Sequence, residues 1–232
     1  MNNPKKEPPD YIKKSLRTRL LDQIETDIID QEEFDLFDWY SKETESVLEQ
    51  MLSSELNYIN EQISNGNPDV NDSGMIPVNY FAKRIRYSHV IYLVSLLESC
   101  LEEACSKLIT VVGHEITPFG PTELKGDQWN KRRKFLERYA NLKISKELWS
   151  EPNMLYSIRN YLVHENGSTA NISEEKRKEI KKRPGVNIDG YEFNIEKDYI
   201  QHSLEALRLL VKAIEKGVGE VIQNHKNSQS TT

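Results

Sequence analysis

A chain of 232 residues with 37% hydrophobic and 29% charged side chains is long enough for one large core or two small ones, and polar enough to be soluble. Its net charge of −6 is unevenly spread: residues 22–61 hold thirteen Asp/Glu and one Lys, a balance of −12 that leaves the remainder at +6. The longest nearly unbroken apolar run, residues 90–97, falls far short of the roughly 20 residues that span a bilayer, and the first ten residues carry no apolar leader, so a cytoplasmic protein with no membrane partner is expected.

In chain order, the first amphipathic stretch is 11–30, where Ile12, Leu16, Leu20, Ile24 and Ile28 form one stripe of a helix. A second helix, about 42–64, places Leu48, Leu52, Leu56, Ile59 and Ile63 on its apolar side and stops at a loop dense in Asn, Gly, Asp and Pro. The strongest helix follows at about 77–112. Val90, Val94, Leu97, Leu101 and Leu108 make one stripe and Leu93, Leu96 and Cys100 a neighbouring one, so this helix is predicted to be central. Cys100 and Cys105 point to different faces of it, cannot meet disulfide geometry, and read as core thiols. His89 reads as a hydrogen-bonded core residue, while His114, His202 and His225 fall near helix ends or exposed faces. No pair of histidines has metal-ligand spacing and no glycine-rich phosphate loop occurs, so neither a metal nor a cofactor is expected.

A shorter helix, about 127–142, carries Trp129, Leu136 and Tyr139 among basic residues. Residues 123–143 hold seven basic and three acidic side chains, and residues 174–183 six and three. Such clusters either hold phosphates or form solvated helix faces; Lys131, Arg132, Arg133 and Lys134 are the candidates for phosphate contact. The next helix, about 151–165, has Pro152 near its first turn, where a missing N–H does no harm, and Gly167 at its stop. A short exposed helix follows Ser173. "VNIDGYEFNI" at 186–195 alternates apolar and polar around Asp189-Gly190, the signature of a tight hairpin. In the last helix Ile200, Leu204, Leu207, Val211, Ile214, Val218 and Val221 recur by alternate steps of four and three, and residues 226–232 read as a frayed tail. The architecture expected is all-α, a helical bundle over 76–225 with a small β-hairpin inserted before the last helix. Residues 1–75 form an acidic helical region, either an arm or part of the same bundle.

One segment carries more polarity than packing requires. "SIRNYLVHENG", residues 157–167, sits on a helix whose apolar face is Leu155, Ile158 and Leu162, yet it contains Arg159, Asn160 and His164. Asn160 and His164 are one turn apart on one face, whereas Arg159 and His164 lie about 140° apart around the axis. The reach of Arg, fraying near Gly167, or a facing copy of the helix across a two-fold axis would gather the three groups. An imidazole titrates near neutrality and serves as base or acid, and a guanidinium matches a phosphate bidentately. Together they suit metal-free RNA cleavage, in which the ribose 2′-OH attacks the adjacent phosphorus; an ordinary solvated helix end contains the same residue types.

The segment resembles the motif of the HEPN superfamily: an Arg, usually followed by a polar residue such as Asn, with four to six residues before a His. Here "RNYLVH" has the four-residue spacing, preceded by the apolar "LYSI". "YSHVIYLVSLLESCLEEAC" at 87–105 is similar to the long helix that precedes the motif helix in that superfamily, and the likeness extends over about residues 77–222. It implies a HEPN-like up-and-down helical bundle that dimerises with its motifs facing, and a metal-independent endoribonuclease of the toxin or anti-phage defence kind. RNA would be the substrate and an antitoxin or other defence protein a possible partner; a binding module without nuclease activity is the other kind of member. Arg159, Asn160 and His164 would be catalytic. Glu98 would pair with Arg159, with Glu102 one turn on as its competitor; Tyr161 would stack on a base, and Lys131, Arg132, Arg133 and Lys134 would contact RNA.

Overall fold

The computed structural model describes residues 31–67, 74–112, 121, 124–139 and 141–230; the helix expected over 11–30 and His114 lie outside them. In chain order come α1 (Gln31–Ser64), α2 (Met75–Val112), α3 (Gln128–Lys134) continued by a π-helical turn (Phe135–Tyr139), α4 (Lys146–His164) and α5 (Glu174–Ile180). The antiparallel pair β1 (Val186–Asp189) and β2 (Glu192–Ile195) precedes α6 (Lys197–Ser230). The fold is all-α with a small hairpin before the last helix. No helix among the described residues is long and apolar enough to cross a membrane.

Two compact units are distinguished, and α2 and α6 contribute to both. The first comprises residues 31–99 and 144–211. Here α1 is already helical at Gln31, eleven residues before the sequence pattern placed a second helix. The buried face runs Phe34, Phe37, Ser41, Glu45, Leu48, a clean three-four spacing that two polar residues hide from an apolar search. Both are buried because both are satisfied. The Glu45 carboxylate receives Nε and Nη2 of Arg86 at 2.8 and 2.7 Å, and Ser41 Oγ accepts from Gln201 Nε2 at 3.0 Å. Leu56 and Ile63, expected on the buried stripe, are exposed. Arg208 reaches Asp35 and Lys197 reaches Glu49, so α1 is tied to α6 as well as to α2.

The helix α4 also starts earlier than expected. Ser145 caps it, accepting from the Leu148 N–H at 3.5 Å, which places Pro152 inside the helix rather than in its first turn. The interior proline removes one backbone bond. Buried Trp149, Met154, Leu155, Ile158 and Leu162 offset the loss. In the hairpin, Asp189 pairs with Glu192, so the two-residue turn is Gly190-Tyr191, one residue later than expected. Gly190, at φ +57, supplies the positive φ that the first turn position requires. Val186, Ile188, Phe193 and Ile195 all face the core.

The second unit comprises the described residues of 100–143 and 212–230. Leu101, Ala104 and Leu108 of α2, Trp129, Phe135 and Leu136, and Ile214, Val218 and Ile222 of α6 are buried in it. Ile222, one turn beyond Val218, takes the buried position assigned to Val221, which is half-exposed. Cys100 and Cys105 are buried free thiols, and burial pushes the Cys105 thiol up to about 12.

Candidate functional site

The motif helix is positioned by its own C-terminus, which docks on one turn of α2 in the first unit. The N–H groups of Glu165 and Gly167 both donate to the Tyr161 carbonyl at 3.1 Å, ending α4 immediately after His164. Gly167 adopts φ +78 and lies so close to Tyr87 that a Cβ there would meet the ring at 2.9 Å. Tyr87 is fixed in turn, its hydroxyl donating to the Phe193 carbonyl at 2.7 Å while burial raises its pKa. Arg86 Nη1 donates to the Ile195 carbonyl at 3.3 Å, and Lys83 pairs with Glu192. Ser168 forms a bridge to Glu192, and the Thr169 N–H donates to the Tyr191 carbonyl at 2.7 Å. The hairpin and the loop after the motif therefore share one anchoring surface, residues 83–87.

Ile158 and Leu162 face the core, Arg159, Asn160 and Tyr161 are half-buried, and His164 is exposed. Arg159 Nη1 donates to Asn160 Oδ1 at 3.1 Å, while its Nε is buried with no hydrogen-bond partner. The helix stays regular through His164, so the fraying expected near Gly167 does not gather the motif: the capping bonds to Tyr161 hold the last turn closed. Within one chain no hydrogen bond joins the imidazole to Arg159 or Asn160 among the described residues. Tyr161 packs against Phe193, ring centroids 6.1 Å apart and planes tilted 41°.

The other candidates separate from the motif. Glu98 is half-buried and makes no ion pair with Arg159 among the described residues; that guanidinium is turned to Asn160 instead. Glu102 belongs to the second unit, where it pairs with Arg132 at 2.6 Å. The basic run on α3 lies in that unit too, half-buried and largely engaged. Arg133 pairs with Glu137 at 2.8 Å, Lys134 Nζ donates to the Lys125 carbonyl at 3.4 Å, and Lys131 also has a partner. In the first unit, two arginines of the 174–183 cluster brace the site's scaffold. Arg177 donates to the carbonyls of Thr169 and Ile172, and Arg183 meets the buried Glu151 carboxylate at 3.1 Å and Ser150 Oγ at 2.9 Å. Lys178, Lys181 and Lys182 are exposed.

Two residues escaped the sequence reading. Arg84 stacks over Tyr80 and Tyr87, 5.0 and 5.8 Å from their centroids, with Nη1 3.5 Å from Asn166 Oδ1 and a buried Nε that has no partner. Asn166 holds φ +51, a left-handed conformation that turns its amide to this guanidinium two residues after His164. The signal was present in "AKRIRYSH" at 82–89, three cations inside the most apolar helix. His89, expected to be hydrogen-bonded, is buried at 3% exposure with both ring nitrogens unpartnered; aromatic edges of Phe37 and Tyr40 surround it instead. Among the described residues no group of three His, Cys, Asp or Glu side chains is placed to hold a metal ion.

No protein-family model, no curated protein and no solved structure matches the chain. The class that fold and site define is an all-α protein whose motif helix ends in an exposed imidazole, with two guanidinium groups carrying unspent buried N–H donors in the same unit.

Proposed function

We propose that the chain is a metal-independent endoribonuclease of the HEPN type, active as a homodimer and serving as a cytoplasmic toxin or anti-phage defence effector. The observation that carries this reading is the state of the motif side chains: His164 is exposed with no hydrogen bond among the described residues, and Arg159 keeps a buried, unpartnered Nε–H on the same helix. Neither group is consumed by the fold. Because they project about 140° apart, a complete site needs the motif of a second copy. There one imidazole takes the proton of the ribose 2′-OH, the oxygen forms its bond to phosphorus as the 5′-oxygen leaves, and an imidazole returns a proton to that oxygen. Arg159, oriented by Asn160, meets the charge that develops on the phosphorane oxygens. DNA has no 2′-OH and is not a substrate.

Incubation of the purified protein with single-stranded RNA and its all-DNA counterpart in EDTA tests the reading. RNA alone is expected to be cut, leaving 2′,3′-cyclic phosphate ends, and His164→Ala is expected to lose about 10²-fold or more in rate while keeping its fold and dimer. The second reading, a HEPN interaction module without nuclease activity, is favoured by the lack of a Glu98–Arg159 pair. Its expected result is no cleavage by the wild-type dimer and loss of dimerisation in His164→Ala.

A further inference from the structure

The outer side of α1 presents a second apolar stripe that the described residues of its own unit leave uncovered. Leu36, Tyr40, Val47, Met51 and Tyr58 recur by +4, +7, +4 and +7, an eleven-residue period that keeps them on one face of a straight helix. All five are more than two-fifths exposed, Tyr40 at 52% and Val47 at 53%. At its N-terminal end the stripe opens into a groove of about 440 Å3 between α1 and α2. Its walls are Leu36, Trp39, Tyr40 and Tyr92, and it is floored by Phe37 and His89. Phe37 stacks on Tyr92 at 5.2 Å and holds that wall in place. Apolar exposure of this extent marks an interaction surface.

The charge around the stripe selects the occupant. Residues 31–64 contain nine Asp/Glu and one Lys. Asp35, Asp38, Glu45 and Glu49 are matched by cations of the chain itself. Glu33 and Glu43 are exposed without an ion pair among the described residues, Glu33 in line with the stripe and Glu43 beside it by helical position. On a second copy the same stripe carries Glu33 and Glu43 and no lysine or arginine, so it would bring like charges and no cation to meet them. We propose that this face docks a protein partner through a basic amphipathic helix, whose apolar residues cover the α1 stripe and whose lysines or arginines meet Glu33 and Glu43. One aromatic anchor fills the groove. An anchor tipped by a hydroxyl or indole N–H also offers the hydrogen bond that the buried His89 ring lacks. The inference stands apart from the nuclease reading, since it uses no residue of the motif.

The test uses the full chain and two synthetic 22-residue helices of leucine and lysine, or leucine and glutamate, each with one central tyrosine. Binding is read by anisotropy of a labelled peptide and by the emission of Trp39, 59% exposed in the groove wall. The lysine peptide is expected to saturate and the glutamate peptide to bind at least tenfold more weakly, with the preference reversed in Glu33→Lys/Glu43→Lys. Tyr40→Asp separates docking from charge alone: docking predicts at least tenfold weaker binding of the lysine peptide, whereas attraction to a merely acidic surface predicts tighter binding. Equal binding of the two peptides, no saturable binding, or tighter binding by Tyr40→Asp overturns the proposal. So does self-association of the chain that Val47→Asp abolishes, which assigns the face to a second copy.

Discussion

Arg84 and Gly167 show how single residues hold the motif's end. Arg84 is stacked on two tyrosines yet keeps a buried Nε–H without an acceptor, an arrangement that costs stability unless a ligand oxygen completes it. Under the nuclease reading that oxygen is a phosphate next to the scissile one. Arg84→Gln is then expected to weaken binding of a 2′-O-methyl RNA strand several-fold and to lower the salt slope by about one, with thermal stability nearly unchanged. Unchanged affinity and slope would make Arg84 a purely structural stack. Gly167→Ala adds a methyl group 2.9 Å from the Tyr87 ring at φ +78. A loss of about 1–3 kcal/mol is expected in urea unfolding, the strain and the clash acting together.

At the scale of elements, the ion pair between α1 and α2 and the imidazole beside it make opposite demands on the core. Arg86→Met leaves the Glu45 carboxylate buried without its bidentate partner, so a loss of about 3–5 kcal/mol is expected, and α1 should be the first element to lose amide protection in hydrogen exchange. His89 has no partner to lose. Burial holds its pKa below the ordinary value of 6.5, so the unfolded chain takes up a proton that the folded chain refuses. Its contribution to stability is complete above about pH 6.5 and is lost as pH falls from there towards the folded value. His89→Phe, which keeps the edge contacts with Phe37 and Tyr40, should flatten the fall in urea midpoint between pH 7 and pH 5; an unaltered slope would move that pH dependence to another group.

For the whole molecule, legibility followed the kind of interaction that fixes each part. The helices α2 and α6 were readable because apolar periodicity alone buries them, and the hairpin because alternation and a glycine turn are local signals. The 31–41 stretch of α1 was not, since Ser41 and Glu45 look like surface residues until Gln201 and Arg86 arrive from α6 and α2. The same blindness applied to the site. Arg159, Asn160 and His164 were visible as a local cluster, but the expected Glu98 contact and the role of residues 83–87 depend on elements far apart in the chain.

By itself, the sequence determined the helical class, the place of the hairpin, the acidic character of the first third and the presence of three motif side chains on one helix, all properties of residues within a few turns of one another. Only the tertiary structure decided that the motif helix ends closed against Tyr87, that Arg159 turns to Asn160 rather than to Glu98, that Arg84 stands by Asn166, and that one face of α1 is left bare by the described residues. The closed end at Tyr87 and the Arg84–Asn166 contact, like the Gln201 bond that lets Ser41 be buried, rest on partners supplied across roughly 80 to 160 residues of chain, and a local pattern carries no record of which distant group will satisfy a buried polar one.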